Sequence, residues 1–161
     1  MHHRTMSTDS NLTSAELRFL GAARTAVLAT IEGGGLPRLV PICFVVADRP
    51  RLVVYSPLDE KPKRVADTRQ LARIRDILER PEVALLVDRW AEDWNRLGWL
   101  RLQGIADLVE PGDAAAADEH GTAVAALRRK YTQYEAHRLE ERPLIRIVIE
   151  RSRSWGNLGE G

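Results

Sequence analysis

The chain has 161 residues, 44% of them hydrophobic, which is enough for one compact domain with a real core and too little for two. Its 24 basic and 23 acidic side chains leave a formal charge of +1, so no global field recruits nucleic acid or membrane and any anion site has to be local. The single Cys43 excludes an intramolecular disulfide, no Cys/His cluster has zinc-ligand spacing, and no apolar run approaches the roughly 20 residues of a spanning helix, so a soluble cytoplasmic protein is expected. The opening MHHRTMSTDS lacks the apolar core of a signal peptide. Residues 1–13 are expected as a disordered leader before one domain at 14–161, and His2 and His3 are set aside.

Residues 14–20, SAELRFL, carry an N-cap candidate ahead of apolar positions at helical spacing and predict a short opening helix. The period then changes. Residues 25–31, TAVLATI, are β-branched and apolar and run into Glu32, Gly33, Gly34 and Gly35, a turn able to close a hairpin. The run at 36–46, LPRLVPICFVV, sets Val40, Ile42, Phe44 and Val46 on one face, and Pro41 removes a ladder donor in its middle, the mark of a bulge or an edge. Asp48, Arg49 and Pro50 turn the chain into RLVVYS, so three antiparallel strands are expected in succession. Next, TRQLARIRDILERP places Leu71, Ile74 and Leu78 at helical spacing before Pro81. EVALLVDRW and GWLRLQGIADLVE read as strands around an acidic, tryptophan-bearing loop, and the alanine-rich stretch from 113 to about 137 as a helix weakened by Gly121. In LIRIVIERSRSW, residues 144–155, Ile145, Ile147 and Ile149 alternate against charges as a half-buried last strand does.

Six strands with two or three helices, mostly joined by hairpins, predict a mainly β fold: a small antiparallel barrel with helices at its periphery. A doubly wound parallel sheet fits poorly, because strands do not alternate with helices. Small barrels with open edges pair up, which supplies a cleft between subunits.

Three cations crowd one turn. Lys61, Lys63 and Arg64 lie around Pro62, between a strand end and a helix start, where free backbone N–H groups also face a bound anion. From Lys61 to Arg80 there are seven basic residues against three acids. The turn is not a P-loop, because no glycine cradle precedes the lysine. A solvated helix face laced with ion pairs is the bland account of the same residues. Trp90, Trp94 and Trp99 lie within ten positions, in a loop that also carries Asp88, Glu92 and Asp93. They could wall a planar ring, fill the core or meet a second subunit; for Trp99, inside a strand, burial is expected. Trp155, near the chain end, could cap a pocket.

Catalytic constellations are absent. His120 and His137 are expected at the surface, Cys43 as a buried filler of an apolar strand, and Asp88, Glu92 and Asp93 in ion pairs with Arg89 and Arg96. An anion site without acid–base machinery suggests that a cofactor carries the reaction.

The strings AVLATI, GLPRLVPICFV, RLVVYSPLDEKPKR, ILERPEVALLVDRW, EDWNRLGWLRLQGIA and RKYTQY resemble the pyridoxamine 5′-phosphate oxidase-like (PPOX class) split-barrel superfamily. Within it they are most similar to a group of coenzyme F-420 (deazaflavin)-dependent oxidoreductases. The resemblance implies a six-stranded antiparallel split β-barrel of the FMN-binding type. It also implies a homodimer, with coenzyme F-420 or alternatively FMN in a groove at the subunit interface. By position, Lys61 and Lys63 match phosphate-binding residues, with Arg64 and Ser56 beside them. Val53 and Tyr55 would lie beside the ring or its chain, Pro41, Ile42 and Cys43 would approach the ring through backbone groups, and Trp155 would reach the partner's cofactor. A histidine is as readily expected as Arg38 before LVP. The implied reaction is hydride transfer from reduced deazaflavin to an unsaturated or quinone-like small molecule. Arg69, Arg73 and Arg75 would be available to the cofactor's acidic tail. Rival expectations are an FMN enzyme, a haem protein using His120, His137 or Cys43 as axial ligand, and a non-catalytic cofactor carrier.

Overall fold

A computed structural model describes residues 12–58 and 71–159. Thr13 begins the first helix, α1 (Ser14–Ala22): its hydroxyl accepts the Glu16 amide at 3.1 Å while the Glu16 carboxylate accepts the Thr13 amide at 2.8 Å, two orphan donors satisfied reciprocally. Leu12 packs against the core beneath it.

One antiparallel sheet follows, built from β1 (Ala26–Ile31), β2 (Pro37–Ile42), β3 (Val45–Ala47), β4 (Val53–Pro57), β5 (Glu82–Arg89), β6 (Gly98–Val109) and β7 (Leu144–Gly156). Its order is β2-β1-β5-β6-β7-β4-β3. The β1–β2 hairpin turns at Gly35, whose φ of +88° is a left-handed conformation that a side chain would disfavour. Gly104 marks a bulge between β6 and β7, and a Cβ there would stand 2.1 Å from the Val148 carbonyl oxygen, so the close approach requires glycine.

Among the described residues, seven strands stand where six were expected. The run at 36–46 is cut at Cys43 and Phe44, and its halves occupy opposite edges of the sheet. β2 pairs with β1 and β3 with β4, so the three strands expected in succession are not one meander. Pro41 sits on an edge strand, where its missing N–H breaks no ladder. A link of two residues spans at most about 11 Å between flanking Cα atoms. Since only Cys43 and Phe44 join β2 to β3, the sheet must roll until its two edges meet there. It is a barrel that hydrogen bonds do not close.

Inside lie Leu28, Ile42, Phe44, Val54, Leu100, Ile147 and their neighbours, all buried. The alternation expected in β7 holds: Ile145, Ile147 and Ile149 are fully buried. Helix α2 (Ala72–Glu79) packs on β1 and β6. Its buried apolar residues are Ile74 and Ile77, whereas Leu78, expected on that face, is 61% exposed. Helix α3 (Ala117–Lys130) covers the outside of the sheet. Val124 and Leu127 form a second core there with Val45, Tyr55, Val109, Tyr131 and Tyr134. The helix predicted over 113–137 is shorter than expected, with 3-10 turns at Ala114–Ala116 and Thr132–Ala136. Among the described residues, no helix is long and apolar enough to cross a membrane.

Candidate functional site

The meeting of the two sheet edges gathers three of the expected site residues. Ile42 is buried in the barrel, Cys43 is half-buried in the link, and the Ser56 hydroxyl donates to the Cys43 carbonyl at 2.9 Å, tying β4 to the end of β2. Cys43 is therefore not a filler within one strand. Behind the link, the Tyr131 hydroxyl accepts the Phe44 amide at 3.0 Å, and its proton is shared between the carbonyls of Arg24 and Phe44 at 2.9 and 3.0 Å. Lys61, Lys63 and Arg64, with Arg69, lie outside the described residues.

Val53 and Tyr55 point elsewhere, into the core under α3. The Tyr55 hydroxyl donates to Glu119 Oε1 at 2.6 Å, and Arg146 donates to Glu119 Oε2 at 2.7 Å and to both oxygens of Asp107 at 2.8 and 2.6 Å. Burial first, then the Glu119 carboxylate, raises the Tyr55 phenol well above its ordinary range, so it stays protonated. This network locks α3 to the sheet.

A second feature lies on the outer face of β2-β1-β5-β6. The register aligns Pro41, Val27, Leu86 and Arg101 in one row and Leu39, Ala29 and Ala84 in the next. Trp99 sits between Asp88 and Trp155 in a third. Apart from Pro41 and Trp155, these rows line a groove of about 520 Å³ with a mostly apolar wall. Leu39 is 67% exposed and Trp155 54%. Trp99, expected in the core, is half-buried on this outer face, because β6 turns Leu100 and Leu102 inward instead. Pro41 and Trp155 thus share one surface, apart from Val53 and Tyr55. Val27, Ala29, Leu39, Ala84 and Leu86 of this face are not among the expected site residues. Their signal is that AVLATI and EVALLV hardly alternate, as happens when both faces of a strand are to be covered.

Several polar side chains are engaged differently from expectation. Arg89 donates to the carbonyls of Arg96, Asn157 and Gly159 rather than pairing with the loop acids, and so pins the segment after Trp155. Asp93 caps the short turn at Trp94–Arg96 by accepting the Asn95 amide at 3.0 Å. Arg38 donates to Asp76 at 2.8 Å and to Glu32 at 3.2 Å, and the buried Thr30 hydroxyl donates to Asp76 at 2.7 Å. Burial pushes the Asp76 carboxyl up, but Thr30 and Arg38 together outweigh it and hold the pKa below the usual range. That pair fixes α2 against the hairpin. His120, expected at the surface, is 5% exposed, its Nε2 2.7 Å from the Arg142 carbonyl oxygen. His137 packs edge-on against Tyr134.

A family model described as pyridoxamine 5′-phosphate oxidase matches residues 12–156. Solved structures share the fold. A conserved hypothetical protein from Mycobacterium tuberculosis is 20% identical, with 95% of this chain and 90% of that one covered and a TM-score of 0.67. A haem-binding protein from Mycobacterium smegmatis is 15% identical, covering 93% and 57%, with a TM-score of 0.62. A FAD-binding protein from Mesorhizobium loti is 20% identical, covering 89% and 92%, with a TM-score of 0.56. No curated protein matches the sequence.

Proposed function

The chain belongs to the pyridoxamine 5′-phosphate oxidase family, and from that premise we propose that it is a homodimeric oxidoreductase using coenzyme F-420 to reduce an unsaturated or quinone-like small molecule. When bound, the deazaflavin supplies the hydride, and the protein holds it, orients the acceptor and excludes water. The observation that carries the reading is the uncovered apolar groove. Val27, Ala29 and Leu86 offer a wall for a flat ring, Trp99, paired in register with Trp155, offers a face for stacking, and Arg101 offers a cation at the edge. A second copy seated on this face would cover Leu39 and Leu86 and exclude water from the ring.

In this reading Lys61 and Lys63, with Arg64 and Ser56, take the phosphate, and Pro41, Ile42 and Cys43 approach the ring through the β2 backbone. Trp155 reaches the partner's cofactor. Val53 and Tyr55 act through the strand that carries Ser56. Charge-assisted contacts to phosphate contribute about 1.5–3 kcal/mol each, so Lys61→Ala with Lys63→Ala weakens F-420 binding at least about tenfold. Fluorescence titration reads this directly, and an unchanged affinity would refute the anchor.

FMN is the second reading, favoured by the FAD-binding protein of the same fold. Parallel titrations separate the two cofactors. Haem is tested by a Soret band on adding haemin, and a bare carrier by the absence of turnover of a quinone with reduced F-420.

A further inference from the structure

Lysine is scarce in this chain: 3 of the 24 cationic side chains are lysines, at 61, 63 and 130. Lys130 ends α3 and is half-buried. Its ammonium lies 4.1 Å from the centroid of the Phe44 ring and 5.4 Å from that of Tyr131. The Arg24 guanidinium lies 4.7 Å from the same Tyr131 ring and donates one N–H to the Lys130 carbonyl at 2.7 Å. Among the described residues neither cation has a carboxylate partner, whereas Arg128, two residues earlier, pairs with Glu140. A helix C-terminus attracts cations, but the Lys130 ammonium is turned onto two aromatic faces. Burial, and then repulsion from Arg24, lower its pKa to about 8, against a smaller opposing effect of Cys43. An amine partly stripped of water beside another cation is how a lysine becomes a nucleophile near neutral pH.

We propose that Lys130 and Arg24 form a covalent capture site for a small carbonyl compound bearing a carboxylate; neither residue lines the outer-face groove. The neutral Nζ attacks the carbonyl carbon and a C–N bond forms. The resulting carbinolamine then loses the carbonyl oxygen with two protons as water, leaving an imine with no net oxidation or reduction. The N–H groups of Arg24 not engaged with the Lys130 carbonyl take the carboxylate.

The test uses the full chain with glyoxylate or, as a neutral comparison, propanal, each trapped with cyanoborohydride and mapped by peptide mass spectrometry across pH 6–10. Because the chain holds three lysines, each adduct is assigned without ambiguity. Glyoxylate should modify Lys130 at least about tenfold faster than Lys61 or Lys63, with a half-point below pH 9 where an ordinary lysine titrates near 10.4. Arg24→Gln, checked for folding by its thermal melt, should abolish the preference for glyoxylate over propanal at Lys130. Equal labelling of the three lysines, a half-point at pH 9 or above, or an unchanged preference in Arg24→Gln would each overturn the assignment.

Discussion

Replacing Tyr131 with phenylalanine removes one oxygen from the place where the barrel's two edges meet. Tyr131 is 2% exposed and Phe44 is fully buried, so no water replaces the lost hydroxyl. Phenylalanine keeps the ring and its edge-on contact with Tyr134 at 5.6 Å. The Phe44 amide then loses its hydrogen-bond acceptor, and the carbonyls of Phe44 and Arg24 lose a shared donor. A buried donor left without a partner costs about 1–3 kcal/mol, and together we expect about 2–3 kcal/mol. For a chain of this size that corresponds to a fall in Tm of about 4–12 °C. Urea denaturation gives the free energy, and hydrogen exchange gives a local check, since the Phe44 amide should lose protection beyond the global change. A loss under about 0.5 kcal/mol with Phe44 still protected would show that the link is held by packing alone and refute the reasoning.

Other substitutions probe separate parts of the account. Asp76→Asn removes the charge that Thr30 and Arg38 hold on α2 and should cost about 1–3 kcal/mol at pH 7. Because the folded-state pKa of Asp76 is depressed, its contribution is full above the unfolded value near 3.9 and lost as pH falls through the lower folded value. The gap between wild type and variant should therefore close in acid, and urea titrations at several pH values read it. Leu39→Glu changes a side chain that is 67% exposed, so it should leave stability within about 0.5 kcal/mol while abolishing self-association in sedimentation velocity. Gly104→Ala sets a Cβ against the Val148 carbonyl and should cost about 1–3 kcal/mol in a thermal melt, because β7 must shift.

Much of this architecture is legible in local sequence. The β-branched run at TAVLATI, the glycine turn after it and the alternating isoleucines of β7 give strands where strands stand. What escapes is set at long range. The alternation of Val40, Ile42, Phe44 and Val46 passes unbroken through the cut at Cys43 and Phe44, because all four pack against the same barrel interior although Val40 and Ile42 belong to one sheet edge, Val46 to the other and Phe44 to the link. A periodicity count therefore cannot see the seventh strand. Leu78 and Ile77 compete for one helical face, and the sheet beneath α2 selects Ile77. His120 is buried by the segment carrying Arg142, a neighbour that only the fold supplies. At the candidate site the basic turn stands out by charge, while the groove is made mostly of ordinary aliphatic residues from four strands that meet only in register.

The central claim is that a redox cofactor is held where two copies of this chain face each other. Sedimentation velocity of the protein with F-420 or FMN, followed both at the protein band and at the cofactor's visible band, tests it in one run. The account predicts one boundary at twice the chain mass that carries the visible absorbance. A boundary at the mass of a single chain, with the colour left behind in the supernatant, would contradict it.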